Sequence, residues 1–235
     1  FTLTGKVDEL SARLPSIISA MLGVLVTYFW ASAVFSKRVG VFAGLILATS
    51  FLYCGMARSA EIDMLLTLFT TATLWCFTLG YQEKGKMYLL FGKQQNVSTL
   101  WYLLTWGWIG LGTLTKNPIG LAVPLLAIAG FILVTRDVKL IVELKPWWGL
   151  LVFLLIVLPW FLWVYQRVPD FFDVLYGETV GRYADPEATP HREPFYYYIP
   201  ALVAFAPWVT FLPGTIISWF SRRTQNGSKA HLLLI

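Results

Sequence analysis

Long uncharged stretches dominate the order of apolar and polar residues along the chain. A helix needs roughly 20 mostly apolar residues to cross the hydrocarbon core of a bilayer. Seven stretches meet this need: residues 14–35, 39–57, 64–82, 94–115, 117–135, 146–166 and 194–221. Because lipid offers the backbone no hydrogen bonds, such stretches must be helical. The pattern predicts an all-α fold: a polytopic transmembrane helix bundle of about seven spans, with a long outer-face loop carrying short helices.

The composition supports a membrane protein. Of the 235 residues, 57% are hydrophobic and 13% are charged, whereas soluble domains have about 25% charged residues. Disorder, nucleic-acid binding and a simple soluble enzyme are therefore excluded. The two cysteines, Cys54 and Cys76, lie inside apolar stretches, so neither a disulfide framework nor a zinc motif is indicated.

The distribution of lysine and arginine predicts the orientation. One set of alternate loops has eleven cations and three acids, and the other set has seven cations and ten acids. Cytoplasmic loops are enriched in Lys and Arg, so the first set faces the cytoplasm. The N-terminal segment, the turn at 58–63, the turn near Lys116 and the loop 167–193 then face outside. The net charge of +5 is an orientation signal rather than a nucleic-acid patch.

The outer turn at 58–63 contains a basic residue and two acids. Arg58 ends one span, and Ser59 is predicted to cap the next helix, with Glu61 and Asp63 in its first turn. One interpretation is a helix start stabilised by the helix dipole and an ion pair. The other is a carboxylate held at the membrane boundary for substrate or base chemistry, since charges so near the hydrocarbon are costly and often functional.

A lone lysine occupies a second outer turn. Lys116 is the only charged residue between Lys93 and Arg136, and it lies on the side that Lys and Arg usually avoid. Its side chain either extends to the interface or holds a lipid phosphate.

The loop at 167–193 is longer than a connection requires. Tyr196, Tyr197 and Tyr198 follow it and are typical of an interfacial aromatic belt. His191 has no histidine partner at helical spacing, so a dedicated metal site is weakly supported. The middle of each predicted span lacks charge, which disfavours an ion-coupled transporter.

The order of short motifs resembles that of one family. The motifs are Ala12-Arg13-Leu14-Pro15-Ser16, Ala57-Arg58-Ser59 with Asp63, Leu114-Thr115-Lys116-Asn117-Pro118, Pro159-Trp160, Glu178 with Gly181-Arg182-Tyr183, His191 to Tyr198, and Pro207-Trp208 before Leu212-Pro213. Together they resemble the polyprenyl-phosphate-sugar-dependent glycosyltransferases of the C superfamily. That family includes the dolichyl-phosphate-mannose protein mannosyltransferases and the bacterial aminoarabinose transferase that modifies lipid A.

The resemblance implies an enzyme that works at the outer face. It would move a sugar, with inversion, from a polyprenyl phosphate to a hydroxyl or phosphate of a lipid A-like glycolipid or a protein. Such transfer needs a base for the acceptor and cations for the departing phosphate. The implied site has Asp63 and Glu178 as catalytic residues. The implied donor-binding residues are Arg58, Lys116, Arg182, Tyr197 and Tyr198. His191 is a candidate acceptor or metal contact; no cofactor is specified, and a divalent cation is left open.

The resemblance also indicates what surrounds this segment. Residues 1–235 are interpreted as a single transmembrane glycosyltransferase domain, a fragment without the N-terminal span, the catalytic loop and the C-terminal part. The family's acidic pair is expected upstream, because Asp8 and Glu9 match a non-catalytic position. The aminoarabinose transferases have His where this chain has Thr179. The expected location is the bacterial inner membrane, with the site on the periplasmic side.

A second hypothesis is a flippase or exporter of lipid-linked sugars. It would need the phosphate-binding cations but no catalytic carboxylate. A third, a structural membrane subunit, leaves the mixed charge of the outer loops unexplained. The acceptor stays open among lipid A, a protein hydroxyl and another glycan, and the partners expected in every case are membrane lipids and not nucleic acid.

Overall fold

The protein is a bundle of helices with one short hairpin. The computed structural model describes residues 9–84, 87–90, 93–168, 170–177, 181 and 205–223. The elements in chain order are α1 (Glu9–Val34), α2 (Lys37–Thr49), α3 (Phe51–Arg58), α4 (Asp63–Gln82), β1 (Met87–Leu90), β2 (Lys93–Asn96), α5 (Val97–Thr115), α6 (Ile119–Thr135), α7 (Lys139–Glu143), α8 (Pro146–Tyr165), α9 (Phe171–Tyr176), a 3-10 helix (Trp208–Phe211) and α10 (Leu212–Arg223). The predicted helical bundle is confirmed.

Three of the described helices are long and apolar enough to cross a membrane. They are Ser11–Val34, Asp63–Gln82 and Pro146–Tyr165, which match the predicted spans at 14–35, 64–82 and 146–166. The bent pair α2–α3 makes a fourth if it is counted as one span, whereas Ile119–Thr135 and Trp208–Ile217 are shorter apolar helices. The total of seven spans stays a prediction.

The second predicted span, at 39–57, is broken rather than continuous. Its halves α2 and α3 meet at Ser50 with a bend of 61°. The backbone N–H of Phe51 donates to the carbonyl of Ala206 (3.2 Å), and the indole N–H of Trp208 donates to Oγ1 of Thr49 (2.9 Å). In lipid every backbone group that leaves a helix needs a new partner. The segment around Ala206 supplies one, and this allows the break.

Two other predicted spans need correction at their ends. The span predicted at 94–115 begins as a helix only at Val97, because residues 93–96 form β2, which pairs antiparallel with β1. Asn96 caps α5, since its side-chain oxygen accepts from the N–H of Ser98 (3.1 Å). Of the span predicted at 194–221, residues 194–204 lie outside the described residues. The remainder begins with a turn at residues 205–207, and the 3-10 helix follows at Trp208.

Helix α4 lies at the centre of the described bundle. It packs most extensively against α5 and also contacts α1 and α6. A core of buried residues lies where one end of these helices meets α7: Phe77, Tyr102, Ile128, Leu140 and Leu144. In contrast, α8 has 11% of its span buried against 39% for α4, so α8 packs less against the other described helices.

Close packing between helices depends on small residues. A Cβ at Gly149 of α8 would collide with the indole ring of Trp106 on α5. That indole donates from Nε1 to the carbonyl of Leu144 (3.1 Å), which places α5 against the start of α8. Small residues let membrane helices approach closely when water provides no driving force between them.

A charged cluster closes the end of the bundle that is predicted to face the cytoplasm. Nζ of Lys84 lies 2.6 Å from Oε2 of Glu143 and 3.2 Å from Oδ2 of Asp137, and 4.5 Å from the centre of the Tyr81 ring. Burial of Lys84 disfavours its charged form, but the hydrogen bonds and Coulombic attraction of Glu143 and Asp137 outweigh it and raise the pKa of Lys84. The cluster joins the inner ends of α4, α6 and α7.

The predicted orientation can be tested by cysteine labelling. In the full-length protein with its native cysteines replaced, a membrane-impermeant thiol reagent should label a cysteine at Ala60 in intact cells. A cysteine at Lys139 should react only after permeabilisation. Both positions are exposed in turns or helix ends, so access rather than burial determines the result. The opposite pattern would invert the topology.

The contact between α5 and α8 predicts a stability effect. Gly149→Ala should lower the free energy of unfolding by about 1–3 kcal/mol, because overpacking displaces the Trp106 indole. Gly55→Ala is the matched control, since no atom lies within 4 Å of its added Cβ; it should be neutral or stabilising because Ala favours helix. Thermal unfolding of both variants in detergent measures the difference. Equal melting temperatures would contradict the packing argument.

Candidate active site

The outer turn between α3 and α4 presents a carboxylate at a helix start. Helix α4 begins at Asp63, with Ile62 before it and no side-chain cap. The predicted cap by Ser59 is wrong: its hydroxyl donates back to the carbonyl of Gly55 (3.3 Å), because Ser59 lies just beyond the end of α3. Glu61 accordingly precedes α4 rather than lying in its first turn. The placement of Asp63 in that turn is confirmed, where the helix dipole favours negative charge.

Lys116 forms an ion pair with this carboxylate. Its Nζ lies 2.6 Å from Oδ1 of Asp63, and the two side chains are 39% and 36% exposed. The residue pattern indicates only an interfacial lysine and a helix-start acid in separate turns, and the family resemblance places both in one site. The structure brings them together because α4 begins and α5 ends at the same face of the bundle.

The backbone around Lys116 holds it at the junction of α5 and α6. The N–H of Lys116 donates to the carbonyl of Gly112 (3.2 Å), and its own carbonyl accepts from the N–H of Gly120 (2.8 Å). A Cβ at Gly120 would collide with the backbone of Gly112. The two glycines thus permit the close approach of α5 and α6 that directs Lys116 toward α4.

Ser16 is a positioning residue that the sequence analysis missed. Its hydroxyl donates to the carbonyl of Glu61 (2.8 Å), and its side chain is almost fully buried. The bond ties the turn before Asp63 to α1. Ser16 belongs to the Ala12–Ser16 motif that carries the family resemblance. Membership of this motif was the only feature of the sequence that pointed to Ser16.

Arg58 is the cation of the turn that precedes Asp63. It ends α3, five residues before Asp63, and is exposed. Within the described residues it forms no ion pair. The acid two residues before Asp63, Glu61, is also exposed. Among the described residues, the turn therefore has a cation without an ion pair, Arg58, close in sequence to the Asp63–Lys116 pair.

The other predicted site residues lie outside the described residues: Glu178, Arg182, His191, Tyr197 and Tyr198. Their roles stay predictions. Among the described residues, no three His, Cys, Asp or Glu side chains are grouped to hold a metal ion.

This arrangement suits a ligand with an anionic end and an apolar tail. Lysine binds phosphate as a point charge and arginine binds it with two parallel hydrogen bonds. Both cations lie at the ends of apolar helices, where a lipid tail can extend into the membrane. Asp63 holds the ammonium of Lys116 at this face.

Comparisons with known proteins identify the family. The family described as dolichyl-phosphate-mannose-protein mannosyltransferase matches residues 1–163. Two curated relatives, each named undecaprenyl phosphate-alpha-4-amino-4-deoxy-L-arabinose arabinosyl transferase, come from Edwardsiella ictaluri and Erwinia tasmaniensis. The first is 31% identical over 226 residues, covering 95% of this chain and 39% of the relative. The second is 30% identical over 229 residues, covering 96% of this chain and 39% of the relative.

One solved structure has the same fold. The crystal structure of ArnT from Cupriavidus metallidurans bound to undecaprenyl phosphate matches with a TM-score of 0.82 and 26% identity, over 98% of this chain and 40% of that chain. The chain thus spans about two fifths of the length of the proteins it resembles. The prediction of a multi-pass membrane protein is confirmed by this match together with the apolar helices.

The family match covers well over half of the chain. The chain therefore belongs to the dolichyl-phosphate-mannose-protein mannosyltransferase family, as the order of its motifs predicted.

Proposed function

We propose that the full-length protein is an integral-membrane glycosyltransferase that takes its sugar from a polyprenyl phosphate at the outer side of the bacterial inner membrane. The observation that supports this most is the ion pair of Asp63 with Lys116 at the outer helix ends. It places an ordered ammonium where the headgroup of a membrane-embedded lipid phosphate would arrive.

The relatives suggest the substrates. Their names specify undecaprenyl phosphate-linked 4-amino-4-deoxy-L-arabinose, and the matching ArnT structure has undecaprenyl phosphate bound. We propose the same donor class here, with a lipid A-like glycolipid as acceptor. Transfer to a protein hydroxyl is the alternative acceptor chemistry within the family.

The proposed reaction is a single inverting displacement. An oxygen of the acceptor attacks the anomeric carbon, the bond from that carbon to the phosphate oxygen breaks, and the phosphate leaves with the electron pair. A carboxylate takes the proton of an attacking hydroxyl. We assign that base to the acidic pair expected upstream of residue 1, with Asp63 and Glu178 orienting the sugar or acceptor and His191 contacting the acceptor.

The cations stabilise the charge that develops on the leaving phosphate. We assign this role to Lys116, Arg58 and Arg182, with Tyr197 and Tyr198 lining the donor site. A contact that strengthens as the phosphate gains charge lowers the barrier as well as improving binding. When the donor binds, its phosphate shares Lys116 with Asp63, so the resting ion pair prepares the ammonium without requiring a new side-chain position.

Substitution of Lys116 tests this proposal. In the full-length enzyme, Lys116→Met should reduce turnover of an undecaprenyl-phosphate-linked aminoarabinose donor about tenfold or more, a barrier increase of about 1.4 kcal/mol or more. Asp63→Asn should also lower turnover, and the double variant should be no slower than the slower single variant, because both act through the same contact. Product formation at saturating and limiting donor separates kcat from KM.

Lys84→Met is the matched control. Lys84 is also held by carboxylates, but at the cytoplasmic end of the bundle, so its loss should leave turnover within about twofold while melting temperatures reveal any instability. Rates near wild type in Lys116→Met would remove Lys116 from the site. Transport of the intact donor without sugar transfer would favour the flippase hypothesis.

A further inference from the structure

An apolar cavity opens between α1, α4 and α6, at the opposite end of the membrane from the candidate active site. Its volume is about 580 Å³. It is lined from α1 by residues that include Trp30, by Phe35 directly after α1, from α4 by Phe77, and from α6 by Ala127 and Gly130. Since the lining residues of α1 run from Thr27 to Val34, the cavity extends about 10 Å along the helix. It therefore lies within the cytoplasmic half of the span.

The size of the cavity favours a narrow occupant. An α-helix with its side chains is about 10 Å across, so a volume of about 580 Å³ would hold little more than one turn. A hydrocarbon chain is far thinner and can fill the whole length. The lining is almost entirely apolar, with only the threonines Thr27 and Thr78 contributing hydroxyl groups.

Three exposed cations stand at the cytoplasmic end of the cavity. Lys37 and Arg38 follow the lining residue Phe35 by two and three positions, and Arg136 follows the lining residue Val134 by two. Consecutive Cα atoms are 3.8 Å apart, so these side chains can reach the cavity opening. In the part of the chain that the structure describes, none of the three forms an ion pair.

Nearby acids do not neutralise this group. The acids that face the same end from neighbouring elements are Glu83, Asp137 and Glu143. Asp137 and Glu143 are engaged by Lys84, and Lys139 and Lys145 add two exposed cations at this end. The cations of this end whose side chains the structure describes are therefore six (Lys37, Arg38, Lys84, Arg136, Lys139 and Lys145) and outnumber the three acids. The opening of the cavity is positively charged, while its interior is apolar.

We propose that this cavity binds an anionic diacyl phospholipid of the cytoplasmic leaflet. One acyl chain occupies the space between α1, α4 and α6, and the phosphate contacts Lys37, Arg38 and Arg136. Basic pockets between helices on the cytoplasmic side bind anionic headgroups by this combination of charge and apolar space. The site is separate from the proposed donor site, because its lining lies at the ends of α1, α4 and α6 that are remote from Asp63 and Lys116.

Lipid retention by the full-length protein tests the proposal. Native mass spectrometry would count the molecules of phosphatidylglycerol, or of phosphatidylcholine with the same acyl chains, that stay bound after detergent exchange. We expect one tightly bound phosphatidylglycerol per protein. Gly130→Phe should abolish its retention, because a Cβ at Gly130 meets no atom within 4 Å and the ring would fill the cavity. Ala127→Leu is a smaller filling variant in case the first does not fold.

Two controls make the result specific. Gly55→Phe adds the same ring at another open glycine, on α3, and should retain lipid as wild type does. The triple change Lys37→Gln, Arg38→Gln and Arg136→Gln should weaken phosphatidylglycerol binding about tenfold or more and leave phosphatidylcholine unaffected. All filling variants should transfer sugar at wild-type rates. The lipid-binding result is therefore independent of the proposed function, which is tested by the Lys116 variants.

Several outcomes would overturn the proposal. Equal phosphatidylglycerol retention in wild type and both filling variants would place the lipid elsewhere. Equal retention of phosphatidylcholine and phosphatidylglycerol would remove the role of the three cations. A further contrary result is that undecaprenyl phosphate displaces phosphatidylglycerol one for one in the wild type and no longer binds in the filling variants. That result would assign the cavity to the donor instead.

Discussion

The absence of hydrogen-bonding solvent around the backbone governs this structure. Hydrocarbon offers no partner to an N–H or carbonyl group, so each apolar segment must satisfy its own backbone as a helix. The break at Ser50 shows how the same rule allows an exception. There Phe51 and Thr49 find partners in Ala206 and Trp208, which ties a late segment of the chain to an early span. Helix packing follows from the same condition, because close contact at glycines such as Gly149 replaces the missing hydrophobic drive between helices.

Among the described residues, charged side chains consequently lie at the two ends of the bundle. The ion pairs at the two ends differ. At the cytoplasmic end Lys84 is held by two carboxylates, and the cluster joins three helices. At the outer end Lys116 has one carboxylate, Asp63, and Arg58 forms no ion pair among the described residues. Arg58 is therefore a cation beside lipid that is available to an anionic lipid ligand. The inner cluster joins one cation to two carboxylates and serves structure.

The sequence predicted the helical bundle well and the site partly. Long apolar stretches define helices such as α1, α4 and α8 because membrane thickness sets their length. The same pattern could not reveal the break at Ser50, since that break depends on contacts with Ala206 and Trp208, more than 150 residues later. Asp63 and Lys116 were each identified from sequence, but their pairing depends on how α4 and α5 align. Ser16 was recognisable only as part of a motif, because a serine within a span gives no sign of a distant carbonyl partner.

Photocrosslinking tests the central claim most directly, namely that the lipid phosphate is bound at the outer helix ends. A polyprenyl phosphate with a photoreactive group next to the phosphate would be bound to the full-length protein in lipid nanodiscs, irradiated and mapped by peptide mass spectrometry. The account predicts crosslinks within residues 57–64 and 114–120, which surround Arg58, Asp63 and Lys116, and their suppression by excess undecaprenyl phosphate. Competable crosslinks confined to residues 136–146, at the cytoplasmic end, would contradict it.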